Sequence, residues 1–526
     1  MKINLWILLL LWTNLVAICM AVRAFTPDEH GPALQSEEVS ANPSGCVSSF
    51  DVNAEYDYFP TKIEQSNAST FTVTYHNYYK IVTTSTETIV LWQCGTQQPV
   101  VTGADAYVSI PITRIAVGST TMIPFVQVLG ESESIVGTPV VSTVSSPCLL
   151  ARISAGDAIS ILTSSWSLNQ TAVDTSQAEI YIGYSATMPA ITNYEYLEKY
   201  QLGIVSYVHF MATFYNKEAV SNSVYMEISN RLDCIDEAVN TPQISNAMAS
   251  TNKVLWCSAH YLGSGWSCGV CPNYYCDAVR KAGGVFLEYT EVLGIAETSP
   301  LTDEQFLSLA AQADIWIYTS FDYATQYVAH KSILDTLPCV QSRNVFGLHG
   351  KGSTDWFESR VLEQDVLVED VLAALAVANP DLSVSHDPVW IVPMYLSQNE
   401  IDNPSNYGRG SCINSSAPLA LQANLCEDLQ ISTTVAAGAS DKNDDNLIIG
   451  ISAALASVCT FLLVMQIYTC KRMKDENVAF LSLATHDVDS PLQEGNRGFS
   501  PKNGSVVPLD EEREPESTNG NALIVL

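Results

Sequence analysis

Four cysteines, Cys257, Cys268, Cys271 and Cys276, form the one dense cluster of reactive side chains in the chain. A C-x10-C-x2-C-x4-C spacing suits a tetrahedral zinc site. The Cys268-Gly-Val-Cys271 pair suits thiol–disulfide exchange. In an oxidising compartment the same spacing reads as two local disulfides that pin a loop, and that is the expectation here. Other catalytic patterns are missing: the chain has no His-Glu-x-x-His, no Gly-x-Ser-x-Gly and no complete P-loop. His349-Gly-Lys-Gly-Ser-Thr resembles the end of one, but glycine follows Lys351 where a Ser or Thr would be needed to reach magnesium. No enzymatic activity and no cofactor are expected.

A second set of residues is rich in rings and cations: His260, Tyr261 and Trp266; Tyr318, Phe321 and Tyr323; His349, Lys351, Trp356 and Arg360. Each group follows a stretch that reads as a strand. The order after residue 105 alternates strand and helix: strands at 114–118, 134–137, 178–183 and 203–208, with helices at 123–129 and around 193–200. Such alternation predicts an α/β architecture with a doubly wound parallel sheet. Residues 211–250 carry no strand signal and read as a long connecting helix or helix pair. The alternation then restarts, with strands at 253–256, 285–287, 314–318 and 344–346. Between them lie a helix at 274–282 stopped by Gly283-Gly284 and one opened by a capping box at Thr302-Asp-Glu-Gln305. Val368, Val371, Leu372 and Leu375 give the last helix an amphipathic period. Ahead of all this, 71–75, 80–82 and 88–92 read as strands of an N-terminal β extension.

Two α/β lobes joined by a helix therefore follow, and ligands of open α/β sheets sit at the C-terminal ends of the strands. Ser119, Thr120, Thr121 and Tyr184 occupy those ends in the first lobe, with Tyr207 and His209 beside the strand expected at 203–208. The second-lobe rings and Arg360 face them. Trp356 and Arg360 lie i, i+4, so one helix face would present both. Rings pack on an apolar ligand shell, while Tyr hydroxyls and Arg bond oxygen acceptors.

The ends of the chain speak to its location. Residues 1–24 fit a cleaved signal peptide. Residues 447–467 are apolar and uncharged, long enough at about 20 residues to cross a hydrocarbon core of about 30 Å. Asp441, Asp444 and Asp445 precede this stretch; Lys471, Arg472 and Lys474 follow it, which puts the tail in the cytoplasm. The expected order is signal peptide 1–24, leader and β extension 25–104, first lobe 105–210, connecting helix 211–250, second lobe 251–426, stalk 427–446, transmembrane helix 447–467 and disordered cytoplasmic tail 468–526. The ectodomain would face outside the cell or an endosomal lumen, in the plasma or endosomal membrane. Of 14 cysteines, three (Cys19, Cys459, Cys470) lie in the apolar segments or beside them. The other eleven, being odd in number, leave at least one without an intramolecular partner. Asn67, Asn169 and Asn414 head glycosylation sequons. A net charge of −32 excludes nucleic acid as a partner, because phosphate binding requires Lys and Arg.

The serial order resembles the helical-backbone class of substrate-binding proteins, which serve uptake of ferric siderophores, haem and cobalamin. Arg114-Ile-Ala-Val-Gly-Ser-Thr-Thr, Val128-Leu-Gly130 and Ile135-Val-Gly137 are similar to the opening of that family's first lobe. Val254-Leu-Trp256, Gly263-Ser-Gly265, Ala282-Gly-Gly284, Asp314-Ile-Trp-Ile317 and Leu337-Pro338 with Arg343-Asn-Val-Phe346 are similar to its second lobe. The likeness covers about 105–380, and the membrane helix makes the chain look like the anchored, ferrichrome-binding form found in marine algae. The resemblance implies a cell-surface receptor for a hydroxamate-type ferric siderophore, held by Ser119, Thr120, Tyr184, His260, Tyr261, Trp266, Tyr318, Phe321, Tyr323, Trp356 and Arg360. Its partners would be the ferric chelate itself and either a ferric reductase or the endocytic machinery. A cobalamin or haem receptor and a non-catalytic adhesion or signalling glycoprotein are the alternatives. The cysteines and the anchor depart from the family's bacterial pattern.

Overall fold

The structure is a computed structural model that describes residues 41–53, 55–183, 190–249, 251–260, 263, 265–296, 300–348, 350–352, 354–394, 412, 414, 417–421 and 430–433. The signal peptide, the 447–467 stretch and the tail lie outside them. Among the described residues no helix is long and apolar enough to cross a membrane.

The chain opens with a four-stranded sheet, in order β1 (Phe71–Tyr75), β2 (Tyr79–Thr84), β3 (Thr88–Gln93) and β4 (Ala106–Ile110). Its first three strands are antiparallel neighbours, whereas β4 runs parallel to β3. Alternation gives the sheet one apolar face, on which Phe71, Val82, Ile89, Leu91, Val108 and Ile110 are buried. The sheet thus continues past the boundary expected at 104/105.

The first lobe is an all-parallel sheet in order β7 (Ile159–Ser160), β6 (Ile135–Thr138), β5 (Ile115–Val117), β8 (Ile180–Ile182) and β9 (Ala190–Ile191). Helices α1 (Ile123–Val128), α2 (Pro147–Ala155) and α3 (Gln170–Ser176) connect its strands. Two expectations are corrected here. Residues 203–208 form no strand; they fall in α4 (Gln201–Val205) and α5 (Tyr207–Tyr215). All nine residues of α5 are buried, and a helix buried all round cannot be told from a buried strand by periodicity. The helix expected around 193–200 is one 3-10 turn, Glu195–Leu197.

The connecting helix is α6 (Glu218–Val239), 22 residues and so about 33 Å long. It follows α5 and precedes α7 (Pro242–Met248), so a three-helix run stands where one helix or a pair was expected. Val224, Ile228, Leu232, Ile235 and Val239 recur at helical spacing and form its buried stripe. The N-terminal sheet packs on this run: Phe71 meets Tyr207 and Phe210, each at 5.3 Å.

The second lobe is a mixed sheet in order β11 (Trp266–Cys268), β10 (Lys253–Ala259), β13 (Ile315–Tyr318), β14 (Val345–Gly347) and β16 (Val392–Pro393), with β12 (Val285–Phe286) pairing β10. The two outermost pairings, β10–β11 and β14–β16, are antiparallel and the inner ones parallel. Alternation divides its side chains. Val254, Trp256, Ile315 and Ile317 join the main core toward the connecting helix. Leu255, Cys257, Trp316 and Tyr318 enter a separate outer core, covered by α9 (Tyr289–Val292), α10 (Asp303–Ala310), α11 (Tyr323–Leu334) and α12 (Pro338–Gln341). On the inner side lie α8 (Tyr274–Lys281) and α13 (Gln364–Ala378).

Helix α13 is buried on every face from Gln364 to Leu375, not amphipathic as its apolar period suggested. It packs against α6, α8 and β15 (Leu382–Val384). Its polar residues are buried with partners. Asp365 pairs with Arg231 Nε of α6, and Asp370 accepts the backbone N–H groups of Val389, Trp390 and Ile391 at 3.0, 2.5 and 2.8 Å. Residues 427–446 do not all form a stalk, since Ile431–Thr433 is β17, antiparallel to β15.

Disulfides join Cys46–Cys94, Cys148–Cys412, Cys257–Cys268 and Cys271–Cys276, and Cys234 is also disulfide-bonded. Cys339 is a buried free thiol whose pKa burial pushes up to about 12. The three sequon asparagines are exposed.

Candidate functional site

The loops at the C-terminal strand ends of the two lobes meet along a seam. On the first-lobe side the chain leaves β5 and turns at once. Ser119 Oγ accepts from Thr121 N at 3.3 Å and sits 2.7 Å from Thr121 Oγ1. Thr121 Oγ1 donates to Glu195, a buried carboxyl whose pKa burial raises, with the Thr121 bond opposing. Glu195 Oε2 has no hydrogen-bond partner among the described residues.

On the second-lobe side the loop after β14 supplies the contacts. Thr120 Oγ1 donates to the Phe357 carbonyl at 2.9 Å. The Glu358 carboxylate accepts from Ser145 N at 2.6 Å and Ser146 N at 2.8 Å, at the N-terminus of α2, where the helix dipole favours an anion. Ser145 Oγ and Thr354 Oγ1 are 2.9 Å apart. Further along, Gln201 N donates to Asp277 Oδ2 at 2.9 Å, and the Gln201 side-chain amide donates to the Tyr274 carbonyl.

Behind Phe357 lies a cage of rings around Arg360. The guanidinium carbon is 4.7 Å from the Trp356 ring centroid, 5.4 Å from Tyr274 and 5.8 Å from Tyr275. Tyr275 stacks on Trp256 at 4.6 Å, and Trp356 meets Trp390 edge-on at 6.3 Å. The disulfide loop positions two of these rings. Cys257–Cys268 ties the β10–β11 hairpin and Cys271–Cys276 closes the turn into α8. Asn273 caps that helix by accepting from Tyr275 N and Cys276 N at 2.8 and 2.9 Å. The four cysteines therefore stiffen the turn that carries Tyr274 and Tyr275. With every sulfur in a disulfide, the zinc and dithiol readings fall.

The residues expected to bind a ligand divide three ways. Thr120, Trp356 and Arg360 lie at the seam or just behind it, each less than a tenth exposed. Ser119 and Phe321 are beside it, Phe321 being 39% exposed with its ring 6.5 Å from Phe357. His260 is half-buried in the hairpin, its Nδ1 2.8 Å from Ser267 Oγ. Tyr184, Tyr261 and His349 lie outside the described residues.

Trp266, Tyr318 and Tyr323 are corrected, because all three belong to the outer core. Trp266 stacks on Phe306 at 3.9 Å and donates Nε1–H to Asp303 Oδ1 at 2.8 Å. Tyr318 bonds Asp322 Oδ1 at 2.9 Å, and burial pushes its hydroxyl pKa well up. Successive strand residues point to opposite faces, so the last residue of a strand need not face the cleft. Trp356 and Arg360 do not share one helix face either. They sit on two 3-10 turns, Asp355–Phe357 and Ser359–Val361, broken at Glu358. Tyr207 and His209 are core residues of α5: Tyr207 OH lies 2.6 Å from Thr70 Oγ1, and burial lowers the His209 pKa to about 4.

Sequence reasoning missed Glu358, Ser145, Glu195, Tyr274 and Tyr275. Only the tyrosines carried a usable signal, a ring pair directly after the Cys-Pro-Asn turn.

The fold is thus two α/β units bridged by a long helix, with their loops meeting at a seam. No protein-family model and no curated protein sequence matches the chain. Its structural neighbours are bacterial periplasmic binding proteins. A periplasmic haem-binding protein from Pseudomonas aeruginosa is similar at 14% identity and a TM-score of 0.41, over 54% of this chain and 100% of that one. HutB, a periplasmic haem-binding protein of Vibrio cholerae, is similar at 13% identity and 0.37, over 48% and 95%. A periplasmic binding protein from Veillonella parvula is similar at 12% identity and 0.38, over 50% and 85%.

Proposed function

We propose that this chain is a membrane-anchored, two-lobed receptor that takes up a small ferric chelate of the hydroxamate type at the seam between its lobes. The observation that supports this most is the composition of the seam. Loops from both sheets supply hydroxyls (Ser119, Thr120), rings (Phe321, Phe357) and, behind them, the Arg360 cage. Such a set offers apolar walls for a chelate shell and donors for its oxygens. In this reading residues 447–467 anchor the receptor, the ectodomain lies outside the cell or in an endosomal lumen, and a ferric reductase or the endocytic machinery takes over the loaded form. Co-elution of the coloured ligand through gel filtration, read by its visible absorbance, tests the ligand class. Ferrichrome or ferrioxamine co-eluting with the protein fits the proposal, while retention of haem or cobalamin instead moves the ligand class.

A second reading rests on the packing of the seam. Thr120, Trp356, Glu358 and Arg360 are all buried by the protein's own groups. A seam that never opens would make the lobes a rigid scaffold, as in an adhesion or signalling glycoprotein. Capture requires that the Thr120–Phe357 and Glu358–Ser145/Ser146 contacts release.

A further inference from the structure

We propose that Arg360 holds a small monovalent anion, a free halide or a ligand carboxylate, inside the ring cage of the second lobe. Three Lys or Arg residues are buried among the described residues: Lys80, Arg231 and Arg360. Lys80 pairs with Glu218 and Arg231 with Asp365. Arg360 has no carboxylate within ion-pair distance among the described residues, although it is only 3% exposed. Its Nε donates to the Trp356 carbonyl at 3.3 Å and the Tyr274 hydroxyl is a hydrogen-bond neighbour, but Nη1 has no partner among the described residues. A guanidinium does not deprotonate in proteins, so the charge stays. Removing an uncompensated charge from water costs several kcal/mol. Stacked rings return about 2 kcal/mol and leave the Nη1 N–H groups unbonded.

A second observation points the same way. The indole N–H groups of Trp256 and Trp390, in the same ring cluster, are also buried without partners among the described residues. Three unmatched donors and one unmatched positive charge ask for an acceptor that carries negative charge. The occupant must be small, because Arg360 and the rings of Trp256, Trp356 and Trp390 are each no more than 3% exposed. It must also shed water easily, which favours a halide or carboxylate over a phosphate or sulfate. The chain's net charge of −32 adds to that preference by repelling multivalent anions. Gln201 Oε1 and Gln364 Oε1 are unmatched as well among the described residues, so a buried water is the competing occupant.

The test uses the full-length chain and sodium bromide, with no chelate present. Crystals grown in bromide should give an anomalous peak within ~3.5 Å of Arg360 Nη1. In solution bromide should quench tryptophan emission saturably, and Arg360→Met should raise the half-saturating concentration at least ~tenfold. Arg360→Lys, which keeps the charge, should retain part of the response and controls for misfolding. A second arm identifies the source and alone rests on the receptor reading. If a ligand carboxylate is the occupant, bromide weakens ferric citrate binding and leaves ferrichrome binding unchanged; if a halide is, neither chelate responds. A non-anomalous water at Nη1, with bromide responses equal in wild type and Arg360→Met, overturns the proposal whatever the chelates do.

Discussion

Changing Glu218 to Gln should detach the N-terminal sheet from the connecting helices. Lys80 enters the core from β2, and its side chain and that of Glu218 are both 0% exposed. Burial lowers the Lys80 pKa and Glu218 opposes that shift. Lys80 Nζ also donates to Thr213 O at 3.0 Å and Asn216 Oδ1 at 2.8 Å, and it lies 4.5 Å from the Phe59 ring. None of those groups carries the missing charge. Removing one member of a buried pair costs about 3–5 kcal/mol, because the other is left uncompensated. With a denaturant slope of about 3 kcal/mol per molar urea, the unfolding midpoint read from tryptophan emission should fall by about 1–1.7 M. Lys80→Met in the same chain removes the orphaned charge, the Gln carbonyl can still accept from Asn42 Nδ2 (2.8 Å), and its NH2 can donate to the Tyr75 hydroxyl oxygen (3.3 Å), so the double variant should regain most of the loss. A midpoint change below about 0.3 M for the single variant, or a double variant weaker than it, would refute the reasoning.

Other outcomes follow from the same physical rules. Glu358→Ala removes two charge-assisted bonds across the seam, about 1.5–3 kcal/mol each; titration should show chelate association speeding up by at least about tenfold, and an unchanged rate would mean these bonds do not gate entry. His386 is opposed by burial, but hydrogen bonds to Asp370 and Glu369 outweigh this and raise its pKa to about 9. Because that exceeds the unfolded value near 6.5, its contribution, on the order of 3 kcal/mol, is complete below pH 6.5 and is lost as pH rises through 9. Melts across that window should lose their slope in His386→Asn. Deleting Cys148–Cys412, a separation of 264 residues, should cost about 5 kcal/mol, against about 2 for Cys271–Cys276 at a separation of 5; equal melting shifts would contradict the loop-entropy account.

Much of the alternation was legible because strands and caps leave local signatures. The Thr302 capping box forms as expected, and Gly283, with φ +78, ends α8 in the left-handed region that favours glycine. What failed was direction. Residues 201–215 are buried on almost every side, so no period could say helix, and α13 hides Asp365 and Asp370, whose partners lie outside the helix at Arg231 and residues 386–391. The seam was hardest to read. Thr120 carried a positional signal, whereas Glu358 gains its role from Ser145 and Ser146, more than 200 residues away. Trp266 and Tyr318 looked like ligand rings because composition does not say to which face of a sheet a residue turns.

The most direct measurement is a titration of tryptophan emission in the full-length chain with ferrichrome, ferrioxamine, haem and cobalamin. Trp256, Trp356 and Trp390 lie in the cluster behind the seam, so a coloured ligand lodged there quenches them. The account predicts saturable quenching by a hydroxamate chelate, weakened when Phe321 and Phe357 are both changed to Ala. Saturation by none of the four ligands on folded protein would contradict it and leave the rigid scaffold as the better description.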